Sequence, residues 1–414
     1  MSMVRRTSIV LVGCLLAGTG VAAPAQPAAA AAPSQRATLL FDGGGGEQLN
    51  GITYHSFRIP SLVRTKANTL IAFVEGRHRS NQDHGNINLL YKRSTNNGDS
   101  WSSLREVVGS GEGTWGNPTA VADRVTGTIW LFMSWNPPGY SINGVDGTKK
   151  ITEWEHRKVY LSKSTDDGLT WTTPQDMTAA LKPRQLANGA TWAWDAVGPG
   201  TGIQTASGRL VIPAQHRNFY SDDHGATWHV QLIQTADGAY QQGTSEGAIV
   251  ELADGRLLRN DRATSRVWET AKRRWVARGD IGTSYSTFAP DDTLLDPACQ
   301  GSILRYNFDS PARIVFLNSA STVTRTKMNV RISYDDGRTW PVHRFLSDAP
   351  LPNWSGLGGG DWAEGGYSSM TKTADYHVGA LVEVNESVSR SSTSHRSIVF
   401  RKFNLPWILN GRTE

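Results

Sequence analysis

The chain has 414 residues, of which 38% are hydrophobic and 19% charged, with a formal net charge of +5. This composition is typical of a globular protein and excludes a disordered chain. The charges are nearly balanced and scattered along the sequence, which excludes a nucleic-acid-binding protein with a basic stripe.

The first predicted element is a secretion signal. Two arginines precede a mostly apolar run over residues 8–21, and small residues follow as far as Ala32. This order is typical of a signal peptide, and the run is short for a membrane span. We therefore predict a signal peptide over residues 1–32, a single mature domain over residues 33–414, and a secreted protein without a membrane anchor.

The chain contains two cysteines, Cys14 and Cys299. Cys14 lies in the predicted signal, so Cys299 stands alone in the mature chain and no intrachain disulfide is expected. A lipid-attachment box ending at Cys14 is the weaker interpretation of that stretch, because the apolar run continues past it. We predict no metal site and no cofactor.

The mature part is predicted to consist of short strands joined by turns. Four β-branched or aromatic runs, mostly bounded by turn residues, are typical of strands. They cover residues 69–74, 127–133, 209–213 and 312–317. The one weak helical pattern spans residues 176–186 and predicts one or two turns. The sequence therefore favours an all-β fold.

An internal repeat indicates the architecture. Its pattern is Ser, any residue, Asp or Asn, any residue, Gly, any residue, Thr or Ser, and Trp. The four copies begin at Ser94, Ser164, Ser221 and Ser333. These residues are typical of a hairpin tip, because Asp and Asn accept backbone hydrogen bonds and Gly takes positive φ at no steric cost. We predict that the repeats are structural and not catalytic.

The spacing of the copies predicts the number of units. Successive copies start 70, 57 and 112 residues apart, and the last gap is close to two units. A unit of roughly 60 residues gives about six units over the mature chain. We predict a six-bladed β-propeller of four-stranded antiparallel blades, with a β-sandwich as the alternative.

A Phe-Arg-Ile-Pro box at residues 57–60 precedes the repeats. Together they resemble the bacterial-type sialidases (neuraminidases), and the resemblance runs from about Ser56 to Trp407. It implies a sialidase propeller as the catalytic domain and a secreted exo-alpha-sialidase as the activity. The partners implied are sialylated glycoproteins, glycolipids and oligosaccharides. We expect a monomer that binds no nucleic acid.

The resemblance implies three arginines that bind the carboxylate of sialic acid, a role that suits the planar guanidinium fork. Arg58 of the Phe-Arg-Ile-Pro box is the first, Arg262 the second and Arg325 the third. Arg259 is the alternative for the second position. Arg331 is the alternative for the third, although we interpret it as a strand residue that faces solvent.

The resemblance also implies the catalytic groups. A tyrosine serves as nucleophile in sialidases, because a carboxylate would be repelled by the carboxylate that the sugar carries. Tyr367 in Gly-Gly-Tyr-Ser matches this nucleophile, and Glu246 in Ser-Glu-Gly matches the base that takes its proton. Asp83 matches the acid/base aspartate, and we expect a loop that excludes water to raise its pKa.

Two further residues complete the predicted site. Arg77 is predicted to bind substrate, and Glu383 is predicted to orient Arg58, since a cluster of buried cations requires a counter-charge. Thr201 departs from the family pattern, in which a histidine is expected. This departure leaves the subsite preference open, and the linkage preference is open as well.

Several alternatives remain at this point. The same residues suit a trans-sialidase, an intramolecular trans-sialidase or a hydrolase of a related ulosonic acid, whereas a lectin would not need the three catalytic groups. The letters of residues 243–247 fit a serine-hydrolase elbow around Ser245, but residues 248–252 are predicted to form a strand where that motif needs a helix. No His-x-x-x-His pair supports a zinc protease.

Overall fold

The structure is a computed structural model that describes residues 31–109, 111–239, 241, 243–264, 270–352, 363–385 and 395–412. All elements below lie within the compact unit Pro33–Glu414. The predicted signal peptide lies outside the described residues except for its last two positions, so it stays a prediction. In the described part of the chain, no helix is long and apolar enough to cross a bilayer.

Six four-stranded antiparallel blades follow one another around the molecule, which confirms the predicted propeller. Their strands, innermost first, are Ser56–Arg64, Leu70–Arg77, Ile87–Ser94 and Arg105–Val108 in blade 1; Thr114–Ala122, Ile129–Asn136, Lys158–Ser164 and Gln175–Asp176 in blade 2; Ile203–Gln204, Leu210–Ala214, Arg217–Ser221 and His229–Leu232 in blade 3; Thr244–Glu251, Leu257–Ala263, Arg273–Gly279 and Ala289–Leu295 in blade 4; Ser302–Asn307, Arg313–Ser319, Met328–Ser333 and Val342–Phe345 in blade 5; and Ala363–Lys372, Val378–Asn385, His395–Phe403 and Gln35–Phe41 in blade 6.

The remaining elements are short. A parallel bridge from Ile87 to Thr114 joins blades 1 and 2. The residual strands are Gly200–Thr201, which pairs with blade 2, the hairpin Gln48–Leu49 and Ile52–Thr53, and the parallel pair Tyr140–Ser141 and Lys149–Lys150. The described helices are Thr178–Leu181 and Leu405–Leu409, with 3-10 turns at Trp154–His156 and Leu346–Asp348. The first of these helices is the turn predicted over residues 176–186.

The last blade is completed by the first long strand of the described chain. Gln35–Phe41 pairs antiparallel with His395–Phe403, in a register that runs from Gln35 opposite Phe403 to Phe41 opposite Ile398. The side chains of Leu40 and Phe41 are buried. The two ends of the propeller sequence therefore close the ring by strand pairing.

Each of the four repeats connects the third and fourth strands of its blade. In the second copy, Ser164 Oγ donates to Asp166 Oδ1 at 2.7 Å, Gly168 N donates to Ser164 Oγ at 2.9 Å, and Thr170 N donates to Asp166 Oδ1 at 3.0 Å. Gly168 has a φ of +78°, as the turn requires. The other three copies have the same hydrogen bonds, with Asn in place of Asp in the first.

The tryptophans that end the repeats pack between neighbouring blades. The ring centroid of Trp101 in blade 1 lies 5.1 Å from that of Phe400 in blade 6. The centroid of Trp171 in blade 2 lies 5.3 Å from that of Phe73 in blade 1. Because large aromatic side chains bury much apolar area, these contacts stabilise the ring between blades and not only within them.

Candidate active site

A cavity of about 490 Å³ lies where the innermost strands of several blades begin. It is lined by residues near the starts of Ser56–Arg64, Thr114–Ala122, Thr244–Glu251 and Ala363–Lys372. Seven of the eight predicted site residues line it: Arg58, Arg77, Asp83, Glu246, Arg262, Arg325 and Tyr367. The eighth, Glu383, is fully buried and contacts three lining residues.

Glu383 holds Arg58 in a bidentate ion pair. Arg58 Nε donates to Glu383 Oε1 at 3.1 Å, and Arg58 Nη2 donates to Oε2 at 3.2 Å. The backbone amides of Ile59 and Tyr367 donate to the same carboxylate at 3.0 and 2.9 Å. Burial raises the pKa of Glu383, but Arg58 and the nearby His395 lower it more, to about 2. The ionised carboxylate therefore fixes Arg58 and the backbone of Tyr367 together.

Tyr367, Glu246 and Arg262 form one hydrogen-bonded group. The Tyr367 hydroxyl donates to Glu246 Oε1, and Arg262 Nη1 donates to Glu246 Oε2 at 2.8 Å and to Tyr367 Oη at 2.7 Å. Burial raises the pKa of Tyr367 well above its ordinary value; Arg262 opposes this rise and Glu246 adds to it. The phenol is thus neutral in the free protein, so any reaction of its oxygen needs a base to take the proton.

Three guanidinium groups converge on Tyr367. Arg262 donates a hydrogen bond to the Tyr367 hydroxyl. The guanidinium carbons of Arg58 and Arg325 lie 5.5 and 5.4 Å from the centroid of the Tyr367 ring. Within the part of the chain that the structure describes, Arg325 has neither a hydrogen bond nor an ion pair to its guanidinium. Its donors therefore remain available to an anionic ligand.

The two rival arginines lie elsewhere. Arg259 is fully buried, donates to Asp261 Oδ1 at 2.9 Å and to Asn218 Oδ1 at 2.6 Å, and does not line the cavity. Arg331 does not line it either. Our interpretation of Arg331 as facing solvent is wrong, because its strand packs between two others and leaves the residue only 9% exposed.

Ser245 lines the cavity but does not lie on a nucleophile elbow. It is inside the strand Thr244–Glu251, which continues as a strand past residue 248. A serine-hydrolase elbow requires a sharp turn from a strand into a helix at the nucleophile. The backbone around Ser245 therefore argues against that alternative.

Asp83 lies at the cavity mouth with its side chain 69% exposed. Its Oδ1 is 2.8 Å from Arg77 Nη1 and 3.3 Å from Arg58 Nη1. Desolvation by the surrounding protein raises the pKa of Asp83. Arg77 and Arg58 lower it more, so the pKa lies well below its ordinary value. The predicted rise is wrong for the free protein, because two cations reach this carboxylate.

The cavity also contains polar and aromatic residues that sequence reasoning missed. Arg157 Nη2 donates to Asn117 Oδ1 at 3.3 Å, and the Arg157 guanidinium carbon lies 4.5 Å from the centroid of Trp194. Burial lowers the pKa of Arg157 to about 10, although Glu75 opposes the change. None of these residues is part of a repeat. Glu75 had one usable signal, because it lies two residues before Arg77 on one strand and so on the same face.

Comparisons with known proteins identify the family. A family model described as BNR repeat-like domain matches residues 68–381. The exo-alpha-sialidase of Aspergillus fumigatus is 51% identical over 87% of this chain and 87% of its own length, and that of Arthroderma benhamiae is 50% identical over 87% and 86%. The chain belongs to the exo-alpha-sialidase family of glycoside hydrolases. Among solved structures, this sialidase resembles Hadza microbial sialidase Hz136, with 26% identity and a TM-score of 0.68 over 86% of this chain and 67% of that one.

Proposed function

We propose that the protein is a secreted, monomeric, retaining exo-alpha-sialidase that releases terminal sialic acid from glycoproteins, glycolipids and oligosaccharides. The observation that carries this proposal is the convergence of Arg58, Arg262 and Arg325 on Tyr367, whose hydroxyl is bonded to Glu246. Three fixed cations beside a nucleophile suit a sugar that carries a carboxylate on its reacting carbon.

The proposed first step uses the hydrogen-bonded group around Tyr367. The phenol oxygen attacks the anomeric carbon while Glu246 takes its proton, and Arg262 stabilises the negative charge that develops on the oxygen. Asp83 gives a proton to the departing glycosidic oxygen as the bond to the aglycone breaks. The product is a covalent tyrosyl sugar, the intermediate of a retaining glycosidase.

The second step reverses these roles. Asp83 takes a proton from water, the water oxygen attacks the anomeric carbon, and the bond to Tyr367 breaks as Glu246 returns the proton to the phenol. Two displacements on opposite faces give net retention. A sugar hydroxyl in place of water would give a trans-sialidase; hydrolysis is proposed because the relatives at 51% and 50% identity are exo-alpha-sialidases.

Asp83 must be protonated to act as the acid. In the free protein, Arg77 and Arg58 stabilise the ionised form of its carboxyl group. When the sialic acid carboxylate binds Arg58, its negative charge offsets the charge of that guanidinium. Arg58 then lowers the pKa of Asp83 less. We therefore infer that substrate binding raises the pKa of Asp83 toward the working pH, and that the acid is prepared by its own substrate.

The test is hydrolysis of an aryl α-sialoside by the wild type and Tyr367→Phe. We expect a loss of at least about a hundredfold in the variant, as for removal of a nucleophile, and release of the α-anomer first in the NMR spectrum of the wild-type reaction. Tyr91→Phe is the matched control, since among the described residues its hydroxyl donates only to the Leu169 carbonyl, at 3.3 Å, and it does not line the cavity. Full activity of Tyr367→Phe, or the β-anomer as first product, would overturn the proposal.

A further inference from the structure

A second cavity of about 500 Å³ lies where the innermost strands end. It is lined by the last residues of Ser56–Arg64, Thr114–Ala122, Thr244–Glu251 and Ala363–Lys372, the same strands whose N-terminal halves line the catalytic cavity. The two cavities therefore lie at opposite ends of these strands. We call the second one the distal cavity; none of the residues proposed for sialoside cleavage lines it.

Cations are in excess on the wall of the distal cavity. Its charged lining residues are Arg64, Arg124, Arg305 and Lys372 against Glu251 and Asp309. Burial lowers the pKa of Arg64, and the neighbouring charge of Arg124 lowers it further. Burial likewise lowers the pKa of Lys372, with a further contribution from Arg64. Arg64 thus lies close enough to both Arg124 and Lys372 for their charges to repel.

Among the described residues, none of these three cations has a carboxylate within ion-pair distance. Arg124 Nη2 donates to the carbonyls of Gln204 and Thr205 at 2.9 and 3.3 Å, and Lys372 Nζ donates to the Tyr306 carbonyl at 3.0 Å. The guanidinium of Arg64 has no hydrogen bond or ion pair among the residues that the structure describes. Since like charges held together cost free energy, an anion bound between them would relieve the repulsion.

The acidic residues offset only part of this positive charge. Glu251 is buried and accepts a hydrogen bond from Ala206 N at 2.8 Å; burial raises its pKa, and Arg124 opposes that rise. Asp309, the other acidic lining residue, is exposed and acts to raise the pKa of Lys372. Arg305 is paired with Asp336 Oδ1 at 2.5 Å, so the surplus resides on Arg64, Arg124 and Lys372.

We propose that the distal cavity binds a tetrahedral oxyanion, the group shared by inorganic phosphate, inorganic sulfate and their sugar esters. Arginine forks and a lysine are the side chains that recognise such groups. The volume suits a small ligand and not a polymer. Phe308 lines the same cavity and is 50% exposed, which provides an apolar face for the sugar of an ester.

The test is isothermal titration of the full chain with inorganic phosphate at constant ionic strength. We expect binding to the wild type and an affinity at least about tenfold weaker for Arg64→Gln, as for loss of a charge-assisted bond. Arg64 has no protein partner to lose, so this variant should fold and retain sialoside hydrolysis. Arg105→Gln on an outer strand is the control with the same charge change and should bind as the wild type does.

The result that overturns the proposal is an unchanged phosphate affinity in both Arg64→Gln and Lys372→Gln. That result would mean that the ion binds elsewhere, for example at the catalytic arginines. Absence of phosphate binding to the wild type would overturn it equally. Glucose 6-phosphate and glucose distinguish the sources of the anion. If sugar esters are the ligands, glucose 6-phosphate should bind at least as tightly as phosphate; if the free ion is the ligand, it should bind more weakly. An affinity for glucose equal to that for glucose 6-phosphate would contradict a charge-based site.

Discussion

At the scale of single residues, Glu383 links substrate recognition to the position of the proposed nucleophile. One buried carboxylate binds the guanidinium of Arg58 and the backbone amides of Ile59 and Tyr367. An arginine that recognises the substrate and the backbone of the nucleophile therefore share one anchor. A change of charge at Glu383 should disturb both, although Glu383 itself does not line the cavity.

We predict that Glu383→Gln lowers stability by about 3 kcal/mol at pH 7, because the buried Arg58 loses its bidentate partner and keeps only the exposed Asp83, at 3.3 Å. The pKa of Glu383 falls from 4.5 to about 2 on folding. Its stabilising contribution is therefore complete above about pH 4.5 and is lost as the pH falls toward about 2. Urea unfolding at pH 7 and pH 3 should show a smaller gap between wild type and variant at pH 3. An equal gap at both values would contradict this account; Glu112→Gln is an exposed control.

A second prediction at this scale concerns Asp83. If Asp83 protonates the leaving oxygen, Asp83→Asn should slow cleavage of a sugar-linked sialoside by about a hundredfold or more. A nitrophenyl sialoside needs little protonation, so its cleavage should slow much less. The comparison of the two substrates in steady-state kinetics is the measurement. Equal losses would assign Asp83 to binding and not to proton transfer.

The predicted site residues that the structure brings together carry recognisable local patterns. Arg58 is in a Phe-Arg-Ile-Pro box and Tyr367 follows two glycines, and the structure brings both to one cavity. Arg157 and Trp194 have no such pattern. They line the cavity from the segments that precede the third strand of blade 2 and the first strand of blade 3, a long-range arrangement that no short stretch of sequence encodes.

At the scale of elements, the repeats were predictable because each is a local turn stabilised by its own side chains. The irregular segments were not. Residues 137–157, between the second and third strands of blade 2, contain a parallel strand pair and a 3-10 turn, and residues 182–199 lead from blade 2 to blade 3. Neither segment has the periodicity from which strands or helices are predicted, yet both contribute to the cavity wall.

Lys182 holds these two segments together. Its buried ammonium donates to the carbonyls of Trp154, Arg157 and Ala193 at 2.8, 2.7 and 2.9 Å. Burial lowers the pKa of Lys182 to about 8, so the charge that supports three bonds is lost in mildly alkaline solution. The ammonium therefore acts as a positioning group for the wall that includes Arg157 and Trp194.

We predict that Lys182→Met raises the KM for an aryl sialoside about fivefold or more while kcat changes little, because the wall is displaced and the groups around Tyr367 are not. In the wild type, KM should begin to rise near pH 8, where the third bond is lost, and this step should be absent from the variant. Lys163→Met, at an exposed position in blade 2, is the control. A fall in kcat with unchanged KM would refute the positioning role.

At the scale of the whole molecule, the spacing of the repeats predicted six blades but not how the ring closes. Closure depends on pairing between Gln35–Phe41 and His395–Phe403, segments at opposite ends of the domain. The short strand Gln35–Phe41 contains no sequence motif that indicates which strand it pairs with. Blade 6 also contains Tyr367 and Glu383, so closure of the ring and assembly of the site involve one sheet.

The last prediction tests this coupling with two chains, one that begins at residue 34 and one that begins at residue 43. The shorter chain loses the pairing of Gln35–Phe41 and the burial of Leu40 and Phe41. We expect its Tm to fall by about 5 °C or more, from the lost apolar burial alone. Its activity should fall with stability, because Tyr367 and Glu383 lie on the strands of the opened blade.

A peptide of residues 34–42 added in trans distinguishes loss of closure from general damage. Because the missing strand pairs through its backbone, the free peptide should bind the exposed edge of His395–Phe403 and restore both Tm and activity in a saturable manner. A scrambled peptide of the same composition is the matched control. If the shorter chain kept the Tm and activity of the longer one, the pairing would not be what holds the ring closed, and the geometry around Tyr367 would have to be maintained by blades 1 and 5 alone.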